Sequence, residues 1–361
     1  MALFWHHFRF LLLRELLNRW RDKDNIKINI VVPPLLSVMI GLLLRFSESE
    51  TYTFSENMNI LPFLFMAIII SMFLGLTNSA NAILKDRTIL LRERLLGVSS
   101  LAYYLAKFLT LALFLVIQVF LFIIIAHWLL GIRAMFWYYF SYMYLSALIG
   151  CSIGLMISIF ARNSVAAYNI VPLILIPQII FGGALVHFEN MNKSFKVNQQ
   201  RPIPEFCEFI PSRWAVEGLF AAQSFQNLYQ LKATERDQFR ELWRRCKEDC
   251  RSQDDPELCQ SNRCAGLKEQ YMVLRDEANE LIDYSNSSMF TAITLDYREG
   301  ELQANSDALY YGKFLTEHKV FAGRIVETVN FNYFVLILYI VLINLANCAF
   351  LKIKLKRTFI T

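Results

Sequence analysis

Long apolar runs separated by short charged segments make up most of the chain. A helix that crosses about 30 Å of hydrocarbon needs about 20 apolar residues at about 1.5 Å per residue. Six runs come close to that length, at approximately residues 28–45, 58–84, 101–127, 136–160, 165–187 and 330–351. The pattern therefore predicts an all-α membrane protein with six transmembrane helices.

The residues before the first run have an amphipathic pattern instead. Residues 3–21 carry too many charges to cross a membrane, but their leucines and phenylalanines recur at helical spacing. Trp5 and Trp20 are typical anchors at a membrane–water interface. We predict that residues 1–27 form an amphipathic helix along the membrane surface. A charged tail is the alternative.

Basic residues cluster at particular ends of the runs. They precede the first run, follow the second, separate the fourth from the fifth and follow the sixth: Arg9 to Lys27, Lys85 to Arg94, Arg162, and Lys352 to Arg357. The positive-inside rule then places both termini in the cytoplasm. Because 55% of the residues are hydrophobic and only 19% are charged, the chain needs membrane lipid as its solvent. Cations beside a membrane do not indicate nucleic acid as a partner.

The polar segment between the fifth and sixth runs differs from the rest of the chain in charge. Residues 188–329 contain 18 Lys and Arg against 23 Asp and Glu, whereas the remaining residues contain 18 against 8. Its first part, residues 188–229, is rich in aromatic residues and proline, which suits helices that dip back into the membrane. We predict an extracytoplasmic domain here. The predicted organisation is a surface helix (1–27), five transmembrane helices (28–187), this domain (188–329), and a sixth transmembrane helix with a basic cytoplasmic tail (330–361).

Four cysteines fall close together within this polar segment. Their spacing places Cys246 and Cys250 on one face of a helix, and Cys259 and Cys264 on one face of the next. Two nested disulfides, Cys246 to Cys264 and Cys250 to Cys259, would then staple a helical hairpin. A zinc site is the alternative, but zinc motifs more often use C-x2-C and an outer compartment is oxidising. We therefore predict disulfides and no metal.

Motifs for catalysis are missing from the sequence. It contains no Walker phosphate loop, no H-E-x-x-H and no G-x-S-x-G. The centres of the predicted spans also contain no ionisable residues, which ion-driven carriers usually need. We expect no catalytic site and no cofactor on this chain, and a membrane-embedded enzyme is the least favoured class.

Three stretches resemble the permease domains of ABCG/White-type ABC transporters, bacterial exporters in particular. "LLRERLLGVSSLAYYLAKFL" resembles the segment that follows the second transmembrane helix in that family. "FGGALVHFENMNK" and "IPEFCEFIPSRWAVEGLFAAQ" resemble the end of the fifth helix and the re-entrant segment after it. The resemblance implies the permease subunit of an ATP-driven exporter.

The family resemblance also implies roles for individual residues. A coupling helix near residues 85–99 would contain Arg92, Glu93 and Arg94, and a connecting helix would contain Arg14, Glu15 and Arg19. Candidate residues of a substrate path are Phe65, Ser71, Leu74 and Asn78 in the second span, and Asn169, Pro172 and Gln178 in the fifth. Leu185 and Val186 resemble the apolar plug near the outer exit.

The resemblance implies partners as well. Two chains would pair as a homodimer, and a separate ABC ATPase subunit or a fused nucleotide-binding domain would bind ATP and Mg. The expected cargo is amphipathic or lipid-like and moves outward by alternating access across a bacterial inner membrane. The alternative is a membrane receptor or scaffold whose outer domain binds a partner. Such a protein would need no ATPase.

Overall fold

The described part of the chain is helical almost throughout. The computed structural model describes residues 2–47, 52–95, 97–183, 203–251, 264–285, 318–321 and 324–357, and 85% of the structure is helix. The helices are α1 (Ala2–Arg21), α2 (Lys23–Leu44), α3 (Ile60–Ser79), α4 (Ala82–Lys85), α5 (Arg87–Leu95), α6 (Ser100–Leu130), α7 (Phe136–Phe160), α8 (Ser164–Ile180), α9 (Pro211–Phe225), α10 (Leu228–Cys250), α11 (Ala265–Glu280) and α12 (Thr328–Arg357). Strands β1 (His318–Phe321) and β2 (Arg324–Glu327) pair as an antiparallel hairpin in which Lys319 lies opposite Val326. Short 3-10 helices lie at Phe54–Glu56, Glu205–Phe209 and Ile282–Tyr284.

Five of the described helical segments are long and apolar enough to cross a membrane. They are Ile26–Leu44, Ile60–Lys85, Ser100–Leu130, Phe136–Phe160 and Thr328–Leu355. The fifth predicted span corresponds to α8, an apolar helix of 17 residues. Residues 184–187, the end of that predicted span, lie outside the described residues. The six-helix count therefore stays a prediction.

Helices α3 and α7 form the centre of the bundle, and glycines allow them to approach closely. A Cβ at Gly75 of α3 would lie 2.0 Å from the carbonyl oxygen of Ala147, and one at Gly150 of α7 would lie 2.2 Å from that of Met72. Small residues at crossing points are typical of helix pairs in lipid, where close packing replaces the hydrophobic effect as the driving force. The remaining helices pack around this pair.

Helix α1 lies against α6 and buries one of its faces there. Leu11 and Glu15 are buried, whereas Phe10, Leu13, Leu17 and Trp20 form an exposed apolar stripe on the other side. A helix with one side packed on protein and a second apolar stripe fits the boundary between the bundle and lipid.

The two ends of the bundle carry different elements. Helices α1, α4 and α5 lie at one end, which we call the basic end. Helix α9, the hairpin of α10 and α11, and the strands β1 and β2 lie at the other, which we call the distal end.

In the distal hairpin, α10 and α11 pack side by side, with the rings of Trp243 and Tyr271 stacked. Cys246 is bonded to Cys264, and the sulfurs of Cys246, Cys250 and Cys264 lie within 4.8 Å of one another. The second predicted pairing needs Cys259, which lies outside the described residues.

Candidate functional site

The segment that follows α3 is shaped by polar contacts rather than by apolar packing alone. The backbone N–H groups of Ile83 and Leu84 in α4 both donate to Ser158 Oγ of α7, at 2.9 Å each. Helix α5 then turns away, and Gly97, with a φ of 81° that favours glycine, redirects the chain into α6. The side chain of Ser99 accepts from Ala102 N and caps α6. The short helix α5 is thereby held at the basic end between two long helices.

Arg14 of α1 and Glu93 of α5 form an ion pair across the basic end. Arg14 donates two hydrogen bonds to the carboxylate, one of them from Nη2 to Oε2 at 3.4 Å. Burial is the largest single influence and disfavours the charged form of Arg14, but the hydrogen bond to Glu93 and the attraction of Glu93, Glu15 and Asp86 together outweigh it and raise the pKa of the guanidinium. Both side chains are partly shielded from solvent, so the pair links two helices that are far apart in sequence.

A second set of contacts lies deeper and centres on Lys107 of α6. Its Nζ donates to Glu15 Oε2 of α1 at 2.6 Å and also to Asp86 Oδ2, between α4 and α5. Tyr103 donates its hydroxyl to the same Asp86 oxygen at 3.1 Å. Only 5% of Lys107 and 4% of Glu15 are exposed. A buried lysine needs such partners because removing an uncompensated charge from water is costly.

Together these residues form one network, which we call the coupling network: Arg14, Glu15, Asp86, Glu93, Tyr103 and Lys107. It joins α1, the α4–α5 segment and α6. Glu15 also lies 3.6 Å from Arg14 Nη2, so the two sets of contacts are continuous. The coupling network therefore connects α5 and the residue before it with both α1 and α6.

Arg19, the third predicted residue of α1, lies apart from this network. Its Nη2 donates to the carbonyl oxygen of Asn78 at 3.4 Å, and its guanidinium lies 5.8 Å from the ring centre of Phe114. Asn78 in turn donates to Gln118 Oε1 at 2.7 Å. Arg19 thus ties α1 to the end of α3.

Arg92 and Arg94 make no contribution that the structure describes. Arg92 is exposed at the surface of α5, and the side chain of Arg94 lies outside the described part of the chain. The exposed side chain of Arg92 leaves a positive charge on the surface of α5.

Three of the four predicted path residues of α3 are buried inside this single chain, whereas Asn78 is half-buried. Phe65, Ser71 and Leu74 are all buried, and the Ser71 hydroxyl donates within its own helix to Ile68 O at 2.7 Å. The exposed and half-exposed side of α3 instead carries Met66, Phe73 and Thr77.

The predicted path residues of α8 divide into two groups. Asn169 and Pro172 are exposed. Gln178 is buried and accepts from Ser212 N of α9 at 3.2 Å, while Ser212 Oγ donates to Gln178 O at 2.7 Å. Gln178 therefore joins α8 to α9. Leu185 and Val186 lie outside the described residues.

Sequence reasoning missed Asp86 and Tyr103 and misjudged Lys107. Lys107 lies near the start of the third apolar run, where a long side chain is expected to reach solvent, but it is buried. The usable signal was a lysine inside an apolar run together with an aspartate just after the preceding run. Their pairing depends on how α6 packs beside α4, which periodicity does not specify.

A bundle of apolar helices with a charged network at one end defines a multi-pass membrane protein rather than a membrane-anchored soluble domain. The family model for the ABC-2 type transporter matches residues 6–223, which is more than half of the chain. The chain belongs to the ABC-2 type transporter family. No curated protein matches it significantly. The permease resemblance is confirmed at this level, and the matched region contains the whole coupling network.

Proposed function

We propose that this permease is the membrane subunit of an ATP-driven exporter, and that α5 and α1 relay movement from a partner ATPase into the bundle. The coupling network carries the proposal, because it connects the short helix α5 at the basic end with the long helix α6. The proposed orientation puts the basic end and both termini in the cytoplasm, in line with the excess of cations there.

Force would pass along two branches of the network. One runs from α5 through Glu93 to Arg14 of α1. The other runs from Asp86, at the start of α5, to the buried Lys107 of α6. Charge-assisted hydrogen bonds have a narrow preferred geometry, and breaking a buried pair costs about 3–5 kcal/mol. A push on α5 is therefore expected to move α1 and α6 with it instead of separating them.

The ATPase itself would supply the chemistry of ATP and Mg, on a separate subunit or a fused domain. The exposed Arg92 beside Glu93 offers a charged contact for that partner. Two permease chains would pair as a homodimer. By symmetry each chain would then offer the same contact surface to one copy of the ATPase.

The proposed path lies where α3 and α8 of the two chains would face each other. The side chains available for it are Met66, Phe73 and Thr77 of α3 and Asn169 and Pro172 of α8. This set is apolar or uncharged, which favours an amphipathic or lipid-like cargo released outward by alternating access. In this proposal Phe65, Ser71 and Leu74 support the helix from behind rather than touch cargo.

The decisive experiment is Glu93→Ala in the full chain, purified with its ATPase and reconstituted in vesicles. We expect assembly to persist, because the pair is only partly buried, and substrate-stimulated ATP hydrolysis and export to be lost. Glu241→Ala is the matched control, since Glu241 forms exposed ion pairs with Arg244 and Arg245 on α10. Unchanged stimulation and export in the Glu93 variant would refute the coupling role. Repeated absence of an ATPase from the purified folded chain would instead favour a receptor or scaffold.

A further inference from the structure

A second buried charged cluster lies at the distal end, far from the coupling network. It contains Arg213, Trp214 and Glu217 of α9, Lys319 of β1 and Asn332 of α12. Glu217 is fully buried, and Arg213 and Lys319 are 3% and 8% exposed. Three charged side chains at this depth are unusual and need a reason, because an ion cluster is often replaceable by apolar residues without loss of stability.

In the structure Glu217 is held by Lys319 and Asn332. Lys319 Nζ donates to Glu217 Oε2, and Asn332 Nδ2 donates to the same oxygen at 3.1 Å. Asn332 Nδ2 also reaches the carbonyl oxygen of Trp214 at 3.1 Å. One carboxylate oxygen of Glu217 is thus fully engaged by the hairpin and by α12.

The other oxygen of Glu217 is left without a hydrogen bond. Arg213 Nη2 lies 3.6 Å from Glu217 Oε1, too far for a hydrogen bond. Arg213 Nε and Nη1 and Glu217 Oε1 are buried and have no hydrogen-bond partner among the described residues. The guanidinium instead lies 3.9 Å from the ring centre of Trp214. Buried polar atoms without partners are costly, so the cluster is unsatisfied in this state.

We propose that Glu217 exchanges its partner during the transport cycle, from Lys319 in this structure to Arg213 in a second state, so that the β1–β2 hairpin acts as a releasable latch on α9. The proposal rests on the proposed transport function for the step that drives the exchange. In the second state a bidentate pair between Arg213 and Glu217 would satisfy Glu217 Oε1 and one of the two unpaired guanidinium nitrogens. Lys319 would return its ammonium group to water.

In this proposal the free-energy difference between the two states is small, because Arg213 replaces the cation that Lys319 removes. Burial lowers the pKa of Lys319 to about 8, which shows that keeping its charge in the cluster is costly. Leaving the cluster removes that cost, and Arg213 replaces the lost cation. Exchange between two packed arrangements of similar free energy is how proteins make discrete switches.

Helix α9 contacts both α8 and the β1–β2 hairpin, so release of the hairpin can affect both helices. Ser212, at the start of α9, holds Gln178 of α8 through two hydrogen bonds. Glu217 lies one turn further along the same helix and holds the hairpin that leads directly into α12. Release of Lys319 would therefore remove one of the contacts that hold the hairpin on α9, where Gln226 at the end of α9 also donates to Glu327 Oε1 of β2 at 2.9 Å.

The first test is a thermal-unfolding cycle on the full chain in lipid nanodiscs, with Lys319→Met, Glu217→Gln and Arg213→Met alone and in pairs. We expect the loss in Tm for Glu217→Gln to be about twice that for Lys319→Met, because Arg213 can substitute for the lysine but nothing substitutes for the carboxylate. We also expect Lys319→Met to cost more when Arg213 is already replaced. Lys232→Met is the control, since Lys232 forms exposed ion pairs with Glu235 and Glu277.

Additive losses, or equal losses for Lys319→Met and Glu217→Gln, would overturn the exchange. If Arg213→Met does not fold, Arg213→Lys takes its place. Lysine at this position keeps the charge but cannot make a bidentate pair. We therefore expect Lys319→Met to lower Tm more in the Arg213→Lys background than in the parent protein.

The second test is hydrogen exchange of the amides of residues 318–327 in the reconstituted complex, with and without trapping by ATP and vanadate. We expect faster exchange of the hairpin in one of the two states. Unchanged exchange in a complex that hydrolyses ATP and exports would overturn the latch. If no ATPase partner exists, the proposed transport function fails, and the unfolding cycle alone decides whether Glu217 has two partners.

Discussion

The two ends of the bundle each bury a lysine against carboxylates, but with opposite charge ratios. At the basic end Lys107 has two carboxylates, Glu15 and Asp86. At the distal end two cations, Lys319 and Arg213, share the single carboxylate of Glu217. A cation with two acceptors is held in one place, whereas an acceptor with two competing cations has two available arrangements. The comparison suggests a rigid relay at one end and a switch at the other.

The largest expected effect is that of Lys107→Met at the basic end. It would leave buried Glu15 with only the more distant Arg14, 3.6 Å away, and Asp86 short of its cation, and should lower the free energy of unfolding by about 3–5 kcal/mol. Chemical or thermal unfolding in nanodiscs measures this. Lys232→Met is again the exposed control. A stability close to that of the unchanged protein would mean that the relay is not held by charge.

Asp86→Asn should have the next largest effect. Glu15 still pairs with Lys107, and Tyr103 can still donate to the amide oxygen, so the expected loss is about 1.5–3 kcal/mol. The same unfolding assay applies. A loss greater than that of Lys107→Met would contradict the view that two carboxylates share one lysine.

Exchanging the two charged residues of an ion pair should have a different effect on function at each end of the bundle. Arg14→Glu with Glu93→Arg should restore part of the ATP-driven transport that either single change removes, because the pair is partly exposed. The rescue should stay partial, because the new carboxylate at position 14 lies beside Glu15. The corresponding exchange at the distal end, Lys319→Glu with Glu217→Lys, should not restore function, since it puts a lysine beside Arg213. Rescue at both ends, or at neither, would contradict the proposed difference between a rigid relay and a switch.

A further expected effect is a pH dependence of stability that arises from Lys319. Its pKa is lowered from 10.5 to about 8 by burial, so between these pH values the unfolded chain binds more protons than the folded one. Stability should then rise with pH in this window. The charged groups that face Lys319 are Glu217 and Arg213 from α9 and Glu208 from the short helix before it. The Tm difference between the parent protein and Lys319→Met should widen from pH 8 to pH 10. A constant difference would show that Lys319 does not titrate there.

Part of the site at the basic end could be predicted from the sequence. Arg14, Glu15 and Glu93 came from the family resemblance, and the structure brings all three into one network. The distal cluster was not predicted, although Arg213 and Glu217 stand in the quoted stretch that resembles the family. Lys319 and Asn332 come more than 100 residues later in the chain, and no local pattern connects them to α9.

The sequence by itself determined that the chain is a membrane protein, and where most of its spans begin and end. A bilayer accepts only long apolar segments whose backbone groups are satisfied internally, so length and composition are sufficient for that conclusion. Only the tertiary structure decided that Lys107 is buried between two carboxylates, and that α3 turns Met66 and Phe73 outward rather than Phe65 and Leu74. The physical reason is that α3 is apolar on all sides, so no periodicity distinguishes the side that faces protein from the side that does not.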